Sequence, residues 1–225
     1  MTDLVATTPG LYPLPDWAKD DLGRLKGHQK HDLIAGDEGP EITELYDAAR
    51  EEVLEAQAAA GLDRHVEGQL RWDDMIAHPL CVHDSVETRG LERYYDNNNF
   101  YREPAVVDAL DFDGDMAADL TAAADFTDTL QAVVPGPYSL FDLATDEHYG
   151  DEREFLAALS EFLAAEVDAF PAVTGTVILE PSLVTTPPDD LDEPAIEAIE
   201  IVAAAAEGPT TVQSYWGAYP ESTHA

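Results

Sequence analysis

Val133-Val134-Pro135-Gly136-Pro137 decides the reading of this chain: a short apolar run that stops in a Gly/Pro cluster and opens toward a helical stretch. Three further runs end the same way, at Val66-Glu67-Gly68-Gln69, Val177-Ile178-Leu179-Glu180-Pro181 and Val212-Gln213-Ser214-Tyr215. A fifth, Leu4-Val5-Ala6-Thr7-Thr8-Pro9-Gly10, opens the sequence. Strand, abrupt polar or Gly/Pro end, then helix is the pattern of a parallel α/β fold. Its active site lies where the C-terminal ends of the strands converge. Five such units are present, whereas a closed (β/α)8 barrel needs eight. The expected fold class is α/β, an incomplete (β/α)8 TIM-barrel type with about five β/α units.

Residues 1–15 read as a strand followed by a loop punctuated by Pro9, Pro13 and Pro15. Residues 16–39 are polar, with His28, His31 and a turn around Gly36. From Glu41 to Ala60 the apolar positions fall at i, i+3 and i+4, and Gly61 is a natural stop. A second strand follows around 64–68, and 73–90 reads as partly helical, ending near Gly90. Residues 91–114 are rich in aromatics and amides, so they read as an ordered excursion rather than a linker. Helices are expected over 115–127, 151–169 and 193–206, and strands over 130–134, 175–179 and 210–215. The helix at 151–169 carries one apolar stripe: Phe155, Leu156, Leu159, Phe162, Leu163 and Val167. No internal repeat is visible, and one domain over 1–225 is the expectation from length.

Charge bounds the function. Acids outnumber bases 47 to 11, a formal net charge of −36, yet 45% of residues are hydrophobic, so the chain reads as folded rather than disordered. Acids along the whole chain, only three Lys (Lys19, Lys26, Lys30) and many Ala point to a halophilic, acidic proteome. In molar salt the Debye length falls to about 3 Å and self-repulsion is screened. Nucleic acid and anionic membranes are poor partners at this charge. No apolar run approaches the length of a membrane span. The start, Met1-Thr2-Asp3, lacks signal-peptide character, and a lone Cys81 allows no intrachain disulfide. The cytoplasm is the expected location. Ten of the eleven bases lie at or before Arg102. Any side-chain cations for an anionic ligand therefore come from the first half, or the later helices simply carry acidic solvent faces.

His78, Cys81 and His83 place three potential metal ligands in six residues, but the spacing matches no zinc signature. No metal site is expected there, nor at His28 and His31. Past strand two, Glu67, Asp73 and Asp74 flank Arg71 and Trp72. These groups either bind a ligand, with Arg71 gripping a carboxylate in bidentate fashion, or form a salt-bridge network at the barrel rim. Glu180 places one acid at a strand end, where a general acid or a hydrogen-bond acceptor belongs.

Taken in order, Thr7-Thr8-Pro9-Gly10-Leu11-Tyr12-Pro13, Gly61-Leu62-Asp63, Glu67 to Asp74, Asn99-Phe100-Tyr101-Arg102-Glu103-Pro104, Pro135-Gly136-Pro137, Glu180-Pro181-Ser182-Leu183 and Ser214-Tyr215-Trp216-Gly217 resemble the cobalamin-independent methionine synthase family. The resemblance covers nearly the whole chain. That family has two similar (β/α)8 barrels. The C-terminal one holds a zinc that activates homocysteine, and the methyl donor is a methylated folate. Here Tyr215-Trp216-Gly217 stands in place of the His-x-Cys zinc pair, Leu11 in place of a Ser, Gln69 in place of a homocysteine-binding Glu, and Leu179 in place of an Asp. The zinc-free N-terminal barrel fits better.

The resemblance therefore implies a stand-alone relative of that half, beside a zinc-bearing methionine synthase chain, in methyl transfer to homocysteine. No cofactor is expected on this chain itself; zinc sits in the partner, and methylated folate is the possible donor. Enzyme activity follows from the family only, because the zinc and homocysteine residues are unmatched. The expected substrate contacts are Glu67, Arg71, Trp72, Asp74, Asn98, Asn99, Tyr101, Arg102, Glu180 and Tyr215, with no catalytic residue assigned. The resemblance also implies that the barrel continues for about 100 residues past Gly217 with strands six to eight. A non-catalytic truncated barrel or subunit is the second expectation. A relative of uroporphyrinogen decarboxylase or the corrinoid methyltransferases is the third.

Overall fold

The computed structural model describes residues 4–22, 39–95 and 97–218. His28, His31 and the turn around Gly36 lie outside them. Helices α1 (Asp16–Leu22) and α2 (Pro40–Ala59) precede strand β1 (His65–Val66). A short helix α3 (His78–Cys81) leads into strands β2 (Val86–Arg93) and β3 (Phe100–Val106). Then come α4 (Asp115–Ala124), β4 (Leu130–Pro135), α5 (Pro137–Leu143), β5 (Thr145–Asp146) and α6 (Glu152–Asp168). Strand β6 (Thr176–Leu179), helices α7 (Ser182–Thr185) and α8 (Asp192–Ala205), and strand β7 (Thr210–Gln213) complete the order.

Strands β1, β4, β6 and β7 form one parallel sheet in that order. The α/β class with a parallel sheet is therefore as expected. All six residues of β4 and all four of β6 are buried. Strands covered on both faces read as continuous apolar runs, which is why the sequence revealed them to within one residue. β7 is half exposed, with only β6 beside it in the sheet.

The first run, Leu4–Gly10, is not a strand. Ala6 O accepts from Asp63 N (2.9 Å) and Arg64 N (3.3 Å), while Ala6 N donates to the Asp63 carboxylate (2.8 Å). Two bonds to one carbonyl and one to a side chain never start a ladder. Beside it, β1 has two residues rather than five, because Gln57 of α2 takes both backbone groups of Val66. Its Nε2 donates to Val66 O (2.8 Å) and its Oε1 accepts from Val66 N (2.9 Å). A side-chain amide closes the edge where a further strand would pair.

The stretch 73–90 also departs from expectation. Only α3 is helical; residues from Val86 enter an antiparallel pairing with β3, and Gly90 sits within the register shift between Thr88 and Leu91. Glycine inside a strand commonly marks such a bulge. The ordered excursion at 91–114 is this hairpin, extended into a second sheet by β5.

Helix α6 anchors the core. Asp151 caps it, its carboxylate accepting from Arg153 N and Glu154 N at 3.0 Å, worth about 1 kcal/mol. Phe155, Leu159, Phe162, Leu163 and Val167 bury against Val134, Ile178 and Leu179 of the sheet. From its far end Glu166 reaches back to cap α4, accepting from Asp113 N (3.2 Å) and Gly114 N.

Candidate functional site

At the C-terminal end of the parallel sheet lies a cavity of about 190 Å³. Pro9, Gly10 and Leu11 form one wall, and Gln69 and Met75 a second. Leu179 and Gln213, the last residues of β6 and β7, contribute the strand ends; Tyr215 and Trp216 complete the lining. Among the described residues no Asp, Glu, Lys, Arg, His or Cys lines it.

The walls are conformationally strained. Among the described residues four non-glycine positions have positive φ: Leu11 (49°), Gln69 (53°), Tyr95 (43°) and Trp216 (68°). Three of them line this cavity, and Tyr95 packs on Trp216 with ring centroids 5.7 Å apart. Such residues cost on the order of 1–3 kcal/mol each and persist where their surroundings over-determine them. Here Tyr12 N donates to Gly68 O (2.8 Å), tying the first segment to the turn after β1, and Gln69 N donates to Glu67 Oε2 (2.6 Å).

The hairpin closes one side. Trp216 lies 5.8 Å from Tyr94 and 4.8 Å from Tyr215, ring to ring. Tyr215 donates its hydroxyl to Met75 Sδ (3.0 Å). Behind Tyr94, Asp74 accepts from Ile76 N (2.8 Å), Ala77 N (2.7 Å) and the Tyr94 hydroxyl. Burial raises the Asp74 carboxyl above its usual range, and burial followed by the Asp74 charge raises the Tyr94 phenol.

Glu180 is fully buried but does not line the cavity. Its carboxylate accepts from Tyr138 N (3.0 Å), Ser139 N (2.8 Å) and Ser139 Oγ (2.6 Å), so it caps α5. Burial pushes it up to about 7. A Cβ at Gly136 would overlap that carboxyl group, so glycine is what lets the strand end approach.

Glu67 and Arg71 belong to a buried network. Arg50, 1% exposed, donates to Glu67 (3.0 Å), Asp47 (2.7 Å) and Asp119 (3.3 Å). Arg71 meets Asp119 at 3.4 Å and lies over the Tyr46 ring at 4.4 Å. Burial, then the Glu67 charge, pushes the Asp119 carboxyl well up. Of the two readings of this segment, the salt-bridge network is the one the geometry displays. Glu67 and Trp72 also line a small adjoining cavity of about 20 Å³.

Of the ten expected contacts, Tyr215 alone lines the larger cavity. Asn98 and Asn99 are exposed in the turn of the hairpin, where Tyr94 N donates to Asn99 O (2.9 Å). Tyr101 is buried against Tyr94 at 4.6 Å, and burial pushes its phenol up to about 12. Arg102 is half-buried, its carbonyl accepting from Cys81 Sγ (3.3 Å).

His78, Cys81 and His83 do not converge. His78 stacks on Trp72 at 5.2 Å, and His83 accepts from Ser85 N at Nδ1 and reaches Asp111 O with Nε2. Among the described residues no three His, Cys, Asp or Glu side chains are placed to hold a metal ion. Nor is any described helix long and apolar enough to cross a membrane.

No family model matches the sequence. Individual relatives do. A methionine synthase from Sulfurisphaera tokodaii is 24% identical over 196 residues, covering 86% of this chain and 52% of that protein. One from Thermoplasma acidophilum is 26% identical over 205 residues, 85% of this chain and 56% of that protein. A B12-independent methionine synthase from Shewanella sp. W3-18-1, solved with selenomethionine, superposes with a TM-score of 0.76 at 18% identity. That superposition covers 98% of this chain and 64% of the other. The chain is thus similar in sequence to methionine synthases and shares the fold of a B12-independent methionine synthase. It spans about half the length of the curated methionine synthases it matches.

Within this methionine-synthase-like fold, the sequence reading missed Gln69, Met75, Gln213 and Trp216 as cavity residues. Gln69 stood out only as a departure from the family. The signal for the others was their place at or just past the ends of β1 and β7.

Proposed function

We propose that this chain is a zinc-free, methionine-synthase-like half. It works beside a zinc-bearing chain in methyl transfer from a methylated folate to homocysteine. The supporting observation is the cavity at the sheet's C-terminal end, in a chain similar to methionine synthases, lined among the described residues without an ionised side chain, His or Cys. Forming a thiolate at neutral pH takes a Lewis acid or a base. Where the family's zinc pair would stand, this chain has Tyr215-Trp216-Gly217. Its own part is then binding and positioning, with thiol activation supplied by the other chain. We read the parallel strands together with the Leu4–Gly10 run as five units of a (β/α)8-type barrel. Asn98, Asn99 and Arg102 on the hairpin are the proposed polar contacts to ligand or partner, and the cytoplasm is the proposed location.

The test is methylation of homocysteine by a zinc-bearing methionine synthase chain from the same cell, with and without this chain. Stimulation of about tenfold or more supports the proposal, since one good positioning interaction is of that order. A zinc-bearing chain equally active alone overturns it.

A further inference from the structure

A separate cavity, of about 90 Å³, lies at the opposite end of the parallel sheet. Val167 and Asp168 at the end of α6, Thr176 at the start of β6, and Ala205, Ala206 and Glu207 at the end of α8 line it. Thr176 is 2% exposed, and its hydroxyl has no hydrogen-bond partner among the described residues. Strand alternation gives its direction. Leu179, three residues on, lines the cavity at the C-terminal end, so Thr176 projects from the other face of β6, the one that the ends of α6 and α8 cover. A buried hydroxyl without a partner is costly, and native chains retain one chiefly where something else completes it.

The surroundings of that hydroxyl are electronegative. Helices α6 and α8, of 17 and 14 residues, both end at the cavity, and neither has a basic residue in its last turn. Each helix end carries about half a negative charge on carbonyls that no further turn satisfies. Among the described residues the carbonyls of Asp168 and Ala205 accept no hydrogen bond. Asp168 and Glu207 add two carboxylates, and among the described residues no Lys, Arg or His lines the cavity. Arg64 lies nearby, but against Gly175 where a side chain there would project, on the face of the strand opposite to Thr176.

We infer that this cavity binds a monovalent metal cation of potassium size. The Thr176 hydroxyl, the helix-end carbonyls and the carboxylates of Asp168 and Glu207 supply its oxygen ligands. Carbonyl and hydroxyl oxygens replace the hydration shell of such an ion. Calcium takes roughly six to eight oxygens, several of them from carboxylates, and among the described residues no three acids, His or Cys are placed to hold a metal together. The cation ties α6, β6 and α8 to one another and offsets local repulsion in a chain of net charge −36. The inference does not depend on the methyl-transfer reading.

The test is thermal unfolding of the full chain at a constant ionic strength of about 2 M, with choline chloride replaced stepwise by KCl so that screening stays the same. Expected is a melting temperature that rises with the logarithm of one plus the potassium concentration over Kd. With Kd at or below about 0.1 M, the rise is about 3–5 °C by about 1 M potassium. Thr176→Val keeps the shape and removes the hydroxyl. It should raise Kd at least about fivefold and so cut the potassium-dependent rise to about half or less, whatever it does to the melting temperature in choline alone. A rise below about 1 °C for the native chain, or one linear in potassium, as when water alone fills the cavity, overturns the inference. So does a Thr176→Val chain that keeps the native Kd. Should that variant not fold, thallium NMR of the native chain with thallous nitrate decides: a bound resonance displaced by potassium nitrate but not by choline nitrate is expected, and its absence overturns the inference.

Discussion

Replacing Arg50 by Met should cost more stability than any single surface change, because it leaves acids buried without their cation. The Arg50 side chain is 1% exposed and reaches three carboxylates, at 2.7, 3.0 and 3.3 Å. Met keeps most of the aliphatic stem, so packing is largely preserved. Asp47, 40% exposed, returns to water at little cost. Asp119 retains Arg71 at 3.4 Å. Glu67 is the orphan: it is 5% exposed and among the described residues keeps only the bond from Gln69 N. Removing one partner of a buried ion pair costs about 3–5 kcal/mol, a third or more of a typical total stability. The assay is urea unfolding at fixed KCl, since an uncharged denaturant leaves screening unchanged. Adding Glu67→Gln to the Arg50→Met chain should restore about 1–2 kcal/mol, as the orphaned charge disappears. A loss below about 1 kcal/mol for Arg50→Met, or no recovery in the double variant, would refute the view that this network is held by buried charge pairing.

Three further outcomes are expected. Gly136→Ala drives a Cβ into the Glu180 carboxyl group and should lower stability by about 2–4 kcal/mol in the same urea assay. The Glu180 carboxyl, raised by burial from its usual 4.5 to about 7, favours the protonated form in the fold. Its contribution is therefore full below pH 4.5, falls as pH rises to 7, and costs about 3 kcal/mol above that. Glu180→Gln should flatten that part of the stability–pH curve. Finally, with a net charge of −36, the melting temperature should rise steadily from about 0.1 M to molar KCl as repulsion is screened; a flat response would contradict the halophilic reading.

What the sequence made legible follows from where information is local. β4 and β6 are buried on both faces, so their apolar runs and the Gly/Pro or Glu-Pro stops after them marked strand and end together. The α6 stripe was equally plain because its capping Asp151 and its periodicity agree. β2 was not legible. Val86-Glu87-Thr88-Arg89-Gly90-Leu91-Glu92-Arg93 is almost entirely exposed and has no alternation, and only its pairing with β3 makes it a strand. The strand β1 was read around 64–68, but its two-residue length was not legible, because Gln57, nine residues away, occupies the edge of Val66. At the site, Glu180 was correctly placed at a strand end, but its cap on α5 depends on a close approach at Gly136 that no spacing reveals. Gln69 was legible only as a departure from the family's pattern; its unpaired burial among the described residues is a tertiary fact.

The most direct test of the central claim, that this chain is one half of a two-chain methyl-transfer system, is sedimentation equilibrium in molar KCl. The chain is measured alone and mixed with a zinc-bearing methionine synthase chain from the same cell. A single species with the summed mass of the two chains, absent from either alone, is the predicted result. Two independent species at their separate masses would contradict the account.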